Sequence, residues 1–314
     1  MKKKVIVIFL FVFVFAACFI TVPQQKTISI KAPFFNVFIQ LSNPANWKKW
    51  RSDMNTTTVA DSNKIIIKKD TASFKISYGQ KNLNVESKGY LFKINDEWGN
   101  KNADYSYSVI PDKLQDETSI IVSKKVFAIS YLIGKISPVS FDDTHINDLK
   151  TFMETDSLRY GFNIFKTKVR EPNLIEIKKE VLTKDKFTEA AKMLAALYQY
   201  IEKQNVKKTQ PLIAQFLPRG KDSIQINVGF YIDKKVKAEK DIIFTTMPEG
   251  GALYTAIYKG RFDERSKAYS ALRQYFSDHF YQLSILPFES YLDDKLPASD
   301  TDRVNIRLNF ASYF

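Results

Sequence analysis

The sequence has few of the residues that carry covalent, redox or metal chemistry. Its 314 residues include one cysteine, Cys18, and two histidines, His145 and His279. Because Cys18 lies in an apolar N-terminal segment, the remainder of the chain forms no disulfide and offers no thiolate. A zinc site would have to be built mostly from carboxylates, which is uncommon. Neither histidine stands in a recognisable nucleophile context, so we expect no metal and no cofactor, and most of the common enzyme classes are excluded.

Glycine is also scarce, and no segment is of low complexity. Ten glycines in 314 residues argue against a fibrous or disordered chain. Hydrophobic residues make up 45% of the chain and aromatic residues 14%, which is enough to build substantial cores. The length is long for one domain and comfortable for two.

Acidic residues are outnumbered, with 34 Asp and Glu against 47 Lys and Arg, so the formal net charge is +13. The basic residues are spread along the chain, and no helix-turn-helix, zinc-finger or RNA-binding signature accompanies them. We therefore expect a solvated basic surface rather than a nucleic-acid partner. Such a surface also suits an anionic lipid or an acidic ligand.

The N-terminus carries three lysines and then an unbroken apolar run, residues 5–22. This length suits a helix that crosses a hydrocarbon core of about 30 Å. The run predicts a single transmembrane helix within an anchor at residues 1–25, with the soluble part on the outer, periplasmic side. Two alternatives stay open. One is a cleaved secretory signal with Ala16 and Ala17 near the cut, and the other is a lipoprotein signal around Phe15-Ala16-Ala17-Cys18.

Residues 26–157 contain several short runs of alternating apolar and polar residues, with a helical pattern at each end. Ala32-Pro33 opens the first helical stretch. The closing stretch has apolar residues at helical spacing, namely Ile146, Leu149, Phe152 and Met153. A strand, a short helix, an antiparallel meander and a closing helix predict a helix-grip domain, in which a curved sheet wraps the last helix.

The opening of this domain is similar to that of START-like, polyketide-cyclase-like (SRPBCC) domains. The similarity rests on a strand from Ile28, the Ala32-Pro33 pair, a helix to Leu41, and a loop with Trp47 and Trp50. In that family a proline commonly follows the second tryptophan, where this chain has Arg51. Trp47 and Trp50 fit two roles, lining the mouth of a ligand cavity or plugging the open end of the sheet.

The second half contains an internal repeat of the order strand–helix–strand–strand. The first copy is predicted at residues 173–181, 184–204, 211–217 and 223–232, and the second at 252–258, 264–280, 286–292 and 303–312. Pro211 and Pro287 open corresponding strands. Two β-α-β-β units of this kind predict one sheet with both helices on one face and a pseudo-twofold cleft between them. The predicted class for the whole chain is therefore α+β.

This half resembles the GyrI-like domain, the effector-binding domain attached to many AraC- and MerR-type regulators. The resemblance covers residues 160–314 and rests on Met247-Pro248-Glu249-Gly250, Tyr258-Lys-Gly260-Arg-Phe262, Ala268-Tyr269, Glu289-Ser290-Tyr291 and the strand Val304–Phe310. It implies a small-molecule-binding domain. Here a START-like domain and an apolar segment stand where a regulator has its DNA-binding domain.

Glu289 is the candidate ligand-binding residue. It lies inside an apolar strand, where a carboxylate is costly unless it is paired or used, and it shares a strand face with Tyr291. The resemblance implies that this glutamate projects into an aromatic cleft and receives a cationic or polar group. The alternative is an internal salt bridge to a lysine or arginine. Tyr254, Phe230 and Tyr258 are candidate aromatic walls, although aromatic residues at strand spacing pack cores by default.

Together these features predict a membrane-anchored, non-enzymatic protein that senses or sequesters a small amphipathic or cationic molecule. One alternative is a hydrolase of reactive small molecules, with Glu289 as general base and Tyr291 as proton donor. Another is a protein-interaction module whose basic charge suits an acidic partner.

Overall fold

The computed structural model describes residues 20–55, 65–99, 101–112, 116–128, 144–169, 173–247 and 250–312. The chain divides into two compact units, Met1–Thr155 (unit 1) and Asp156–Phe314 (unit 2). Each unit is built on one antiparallel sheet with few helices, which is the α+β class that the sequence predicts. The domain limits from the sequence, 26–157 and 160–314, remain predictions.

Unit 1 has a seven-stranded sheet in the order β1-β7-β6-β5-β4-β3-β2. The strands are β1 Thr21–Ile30, β2 Ile66–Lys69, β3 Ser73–Tyr78, β4 Lys81–Lys88, β5 Leu91–Trp98, β6 Lys101–Pro111 and β7 Thr118–Phe127. The helices are α1 Phe34–Ser42, α2 Pro44–Trp50, α3 Ser52–Asn55 and α4 Ile146–Glu154. Alternate residues of β3 to β7 are buried against the apolar faces of α1, α2 and α4, so one face of the sheet carries the core.

The first strand begins earlier than the sequence predicts. β1 starts at Thr21 and pairs with β7 along its whole length, from Thr21 opposite Phe127 to Ile30 opposite Thr118. The last two residues of the apolar run, Thr21 and Val22, are therefore strand rather than helix. The rest of the run, as far as residue 19, lies outside the described residues. Within the described part of the chain, no helix is long and apolar enough to cross a membrane.

Unit 2 has an eight-stranded sheet in the order β12-β9-β11-β10-β14-β15-β13-β8. The strands are β8 Ile164–Lys168, β9 Asn173–Leu182, β10 Leu212–Pro218, β11 Ser223–Tyr231, β12 Ile242–Thr246, β13 Ala252–Arg261, β14 Phe288–Tyr291 and β15 Arg303–Ser312. The helices are α5 Asp156–Tyr160, α6 Lys186–Lys203 and α7 Ser266–Asp278.

The predicted duplication is present in unit 2. The first copy is β9, α6, β10 and β11, and the second is β13, α7, β14 and β15. The two copies meet where β10 pairs with β14, so the strand order is mirrored about this line. α6 and α7 pack on the same face of the sheet, where they bury the main core. The opposite face carries no helix among the described residues, and we call it the helix-free face.

Candidate functional site

Glu289 lies at the line where the two copies of the repeat meet. Its strand, β14, is short. It begins directly after Pro287, whose backbone nitrogen carries no hydrogen and cannot donate a hydrogen bond to a neighbouring strand. Glu289 is paired with Ala214 on β10 and with Leu308 on β15, and its side chain projects to the helix-bearing face. The side chain is fully buried. The small side chain of Ala214 leaves room for the carboxylate.

Three side chains donate hydrogen bonds to the Glu289 carboxylate. Oε1 accepts from Arg265 Nε at 2.6 Å and from the Tyr269 hydroxyl at 2.9 Å. Oε2 accepts from the Tyr291 hydroxyl at 2.6 Å. The buried charge is thus satisfied by donors from the second copy of the repeat, since Arg265 and Tyr269 come from the region of α7 and Tyr291 from β14. We call these four residues the Glu289 cluster.

Arg265 is the charged partner in this cluster, and it has access to the surface. Its side chain is 18% exposed, whereas that of Glu289 is not exposed at all. The guanidinium carbon lies 3.4 Å from the ring centre of Phe262, and Nη1 donates to the Phe262 carbonyl oxygen at 2.8 Å. Burial opposes the charge, but the Glu289 carboxylate outweighs it and raises the pKa of Arg265. Arg265 therefore stays a cation on an aromatic face.

The two tyrosines of the cluster act as neutral donors. Burial raises the pKa of Tyr269 and of Tyr291 far above the usual tyrosine value, and the Glu289 carboxylate adds to the shift. Neither hydroxyl loses its proton at neutral pH. In the hydrolase alternative Glu289 would have to hold a water, but both of its oxygens already accept bonds from side chains of the chain itself. The two hydroxyls thus meet the Glu289 charge as neutral donors.

The three candidate aromatic walls all lie in the core on the helix-bearing face. Tyr254 packs against aromatic residues of α7 and the segment that follows it, with its ring centre 5.3 Å from that of Phe276. Phe230 packs on Tyr198 of α6, with 4.9 Å between ring centres. The Tyr258 hydroxyl donates to the Arg261 carbonyl oxygen at 2.7 Å. These three residues share a face with Glu289, and the three hydrogen bonds to its carboxylate come from other side chains.

Trp47 and Trp50 belong to unit 1, where both are buried and their ring centres lie 4.7 Å apart. The indole of Trp47 donates to the Leu41 carbonyl oxygen at 2.9 Å. Arg51, at the position where the resembling family has proline, is fully buried. Its guanidinium pairs with Asp53 and with Asp96, at 2.9 and 2.7 Å. Both tryptophans therefore lie in α2 rather than in the predicted loop, and the helix is followed by an ion cluster around the buried Arg51 that family resemblance does not predict.

Sequence reasoning found Glu289 and Tyr291 but missed Arg265 and Tyr269. Tyr269 stood within the quoted Ala268-Tyr269 motif, and its position one turn after Arg265 on a helix was a usable signal. Among the described residues, no group of three or more His, Cys, Asp or Glu side chains is placed to hold a metal ion.

The sequence matches no protein-family model. It matches no curated protein either. Solved structures with a similar fold include the EcmrR C-terminal domain, at 21% identity over 48% of this chain and 96% of that chain, with a TM-score of 0.40. They also include EcmrR in a complex with DNA, at 17% identity over 59% and 76%, with a TM-score of 0.40. A START superfamily protein from Mycobacterium smegmatis matches at 11% identity over 42% and 97%, with a TM-score of 0.29. These matches are distant, and the proposals below rest on the geometry of this chain.

Proposed function

We propose that this chain is a non-enzymatic binding protein, and that unit 2 takes a small amphipathic, cationic molecule at the Glu289 cluster. The observation that carries the proposal is the way in which the charge of Glu289 is neutralised. A fully buried carboxylate is met by one cation, and that cation sits on an aromatic ring. Arg265 thus occupies the position of a cationic aromatic-binding ligand. In a sensor or a sequestering protein, such a ligand would displace Arg265 from the Glu289 carboxylate.

A ligand can displace Arg265 because Arg265 is partly exposed whereas Glu289 is fully buried. Arg265 is bound to the rest of the cluster by one ion pair, and its partly exposed side chain can swing out to water, where a guanidinium is well solvated. Glu289 cannot follow, because its strand is paired on both sides. A ligand that brings a cation and an apolar body would replace the Arg265 contacts with Glu289 and Phe262, and the two tyrosines would remain as donors.

The test uses 2-naphthylmethylammonium as the cationic probe and equilibrium dialysis of the full-length chain in neutral detergent, with a detergent blank. Glu289→Gln should weaken binding about tenfold to a hundredfold, the range for a hydrogen bond to a charged group. Arg265→Gln removes the internal competitor, so binding should tighten. Arg261→Gln is the matched control, since Arg261 is 49% exposed and pairs with Asp263. Binding to this variant should match the original chain.

Thermal unfolding separates binding from damage to the fold. Arg265→Gln leaves a buried carboxylate without its cation and should lower the midpoint, and the naphthylmethylammonium probe should restore it in proportion to its occupancy. If the probe binds all four proteins equally, or if Arg265→Gln lowers affinity as much as Glu289→Gln, Glu289 is a structural ion-pair partner and the proposal is wrong.

We further propose that the chain is attached to a membrane through the apolar run before β1, with both units on the outer side. Once β1 has taken Thr21 and Val22, the run that remains is residues 5–20. As a helix it would measure about 24 Å, a few Å less than a typical hydrocarbon core, and the lysines before it can reach the interface by snorkelling. The cleaved-signal and lipoprotein alternatives are outcomes of the fractionation experiment given in the Discussion.

A further inference from the structure

The helix-free face of unit 2 carries two adjoining cavities that lie away from the Glu289 cluster. One has a volume of about 320 Å³ and the other about 370 Å³, and both are lined by Tyr231 and Phe288. Phe288 and Glu289 are neighbours on β14, so their side chains point to opposite faces of the sheet. The two cavities therefore form a groove that is separated from the Glu289 cluster by the thickness of the sheet.

Strand register explains why a groove exists on this face. One row of residues crosses the sheet from β12 to β13, namely Ile243, Glu176, Gly229, Ile213, Ser290, Arg307 and Ile257. The middle of this row holds Gly229, which has no side chain, and Ser290, which has a small one. Charged residues stand on either side of this middle, and they lie about 19 Å apart at four strand spacings. The row is thus low at Gly229 and at Ser290, on either side of Ile213, and it carries a charged residue next to each of these two positions.

The two charged residues of the row, Glu176 and Arg307, differ in whether an opposite charge neutralises them. Glu176 is neutralised by Lys178, with 2.9 Å between the charged atoms. Arg307 has no such partner, since no carboxylate of the described residues forms an ion pair with it, and its Nε is buried without a hydrogen bond. Among the described residues, no acidic residue lines the smaller cavity at this end. Within that part of the chain, this end of the groove therefore presents a guanidinium without an ion-pair partner.

A second polar group points into the same cavity. Asn309 is 1% exposed and lies two residues from Arg307 on the same face of β15. Its Nδ2 donates to the Phe288 carbonyl oxygen, the Ser290 hydroxyl and the Arg307 carbonyl oxygen, at 3.2, 2.9 and 2.9 Å. These bonds fix the amide, and they leave Oδ1 buried without a partner among the described residues. A buried acceptor in that position favours a ligand that brings an N–H or O–H.

Tyr231 connects the cationic end with the apolar part of the groove. Burial raises its pKa to about 12 and Glu176 adds to this, while Arg307 acts in the opposite direction. Its hydroxyl is therefore a neutral donor at physiological pH. Beyond it the larger cavity is lined on one part by apolar side chains, among them Ile213, Met247, Leu286 and Phe288, and on another by polar ones, among them Glu176, Lys178 and Asn227.

We propose that this groove binds a small amphipathic carboxylate of the N-acyl amino acid type. The carboxylate pairs with Arg307, the amide N–H donates to Asn309 Oδ1, and the acyl body lies against Phe288 and the apolar lining. The arrangement matches the contacts that a bidentate Arg–carboxylate pair and a buried amide acceptor require. This site takes the opposite charge to the Glu289 cluster and does not depend on the function proposed for that cluster.

Three probes with one apolar body test the proposal by equilibrium dialysis of the full-length chain in neutral detergent. N-(2-naphthoyl)glycine carries both the charge and the donor, N-(2-naphthoyl)sarcosine lacks the donor, and N-(2-naphthoyl)glycinamide lacks the charge. The glycine probe should bind at least tenfold more tightly than either analogue. Arg307→Gln should weaken binding of the glycine probe at least tenfold and leave the affinity for the glycinamide probe unchanged. Arg303→Gln, an exposed arginine on the same strand, is the matched control and should change affinity less than twofold.

Because Arg307 has no ion-pair partner, Arg307→Gln should leave the thermal midpoint unchanged, which shows that lost binding is not lost folding. Absence of binding by the glycine probe, equal affinity for the acid and its amide, or an equal loss in Arg303→Gln would each overturn the proposal. Glu289→Gln should not affect the glycine probe, and Arg307→Gln should not affect 2-naphthylmethylammonium. The failure of one site is therefore distinguishable from the failure of the other.

Discussion

Buried charges in this protein are held by side-chain donors that come from separate elements. Around Glu289 the donors are one guanidinium and two hydroxyls, and each bond to a charged acceptor is worth about 1.5–3 kcal/mol. The carboxylate would be too costly to bury without them. It follows that the cluster is a substantial part of the stability of unit 2, whether or not a ligand uses it.

Tyr291→Phe should lower the free energy of unfolding of unit 2 by about 1.5–3 kcal/mol, because it leaves Glu289 Oε2 without its donor. Tyr258→Phe is the matched control, since its hydroxyl donates to a neutral carbonyl, and it should cost only about 0.5–1.5 kcal/mol. Urea unfolding followed by far-ultraviolet circular dichroism measures both. Equal losses in the two variants would mean that the charge of Glu289 does not matter to stability.

A single residue was easier to predict than its partners. Glu289 could be found because a carboxylate within an apolar strand is recognisable from the sequence alone. Arg265 could not, because an arginine near the start of an amphipathic helix looks like any solvated charge, and only the return of β14 beneath that helix reveals its partner. Arg307 was missed for a similar reason. That no carboxylate of the described residues pairs with it becomes apparent only when the neighbouring strands are in place.

At the scale of elements, a short polar segment ties unit 1 together. Asp53, in α3, accepts from Arg51, from the Tyr78 hydroxyl of β3 at 2.8 Å and from Lys81 of β4 at 3.1 Å. Burial alone would raise the pKa of Asp53, but the hydrogen bonds and charge of Arg51 outweigh it and hold that pKa well below its usual value. The folded state therefore binds the Asp53 proton less readily than the unfolded chain does.

The sign of the resulting pH dependence follows from this shift. The contribution of Asp53 is complete above its unfolded-state pKa of about 4, and it is lost as the pH falls towards the lower folded-state value. Asp53→Asn should lower the stability of unit 1 at neutral pH by about 3 kcal/mol and should flatten its decline below about pH 5. Tryptophan fluorescence during urea unfolding at several pH values is the measurement.

Tryptophan is a selective probe here, because Trp47, Trp50 and Trp98 are the three tryptophans of the chain and all lie in unit 1. Asp70→Asn is the control, since Asp70 is exposed in the same unit, and it should change stability by less than about 0.5 kcal/mol. If Asp53→Asn is as stable as the original chain at pH 7, the cluster around Arg51 contributes no net stability.

Elements with strong periodicity were predicted well, and those with weak periodicity were not. β15 matches its predicted limits, Arg303–Ser312, and α6 and α7 differ from theirs by about two residues at each end. β4 was missed because it has only two buried apolar residues, Leu83 and Val85, between polar neighbours. The pairing with β3 and β5 on both sides makes it a strand, and such long-range pairing is invisible in local sequence.

At the scale of the whole molecule, the net charge of +13 and the early start of β1 bear on how the chain meets a membrane. The Ile20 carbonyl oxygen accepts from the Ala128 backbone nitrogen at 2.7 Å, so the C-terminal end of the apolar run is tied to unit 1. Any attachment through that run would therefore hold unit 1 close to the lipid surface, where its lysines favour anionic headgroups.

We expect the full-length chain to remain in the membrane fraction after high-salt and carbonate washing, because an apolar run partitions far more strongly than a basic surface does. Cys18→Ser should be retained equally. A variant that lacks residues 2–19 keeps β1 intact and should be soluble. Release of the original chain by cleavage before β1 would instead support a secretory signal, and loss of retention in Cys18→Ser would support a lipoprotein.

The glycine in the floor of the groove has a consequence for the history of the protein. A Cβ atom at Gly229 would lie 2.7 Å from the Ile175 carbonyl oxygen, so any other residue would push β11 away from β9. The groove is thus kept open by strand packing, irrespective of what fills it. Homologues that have lost ligand binding should still have glycine at this position. Arg307 forms no ion pair with the described residues, so we expect its position to vary among those homologues. Comparing these two positions among diverged copies would distinguish an inherited shape from a maintained activity.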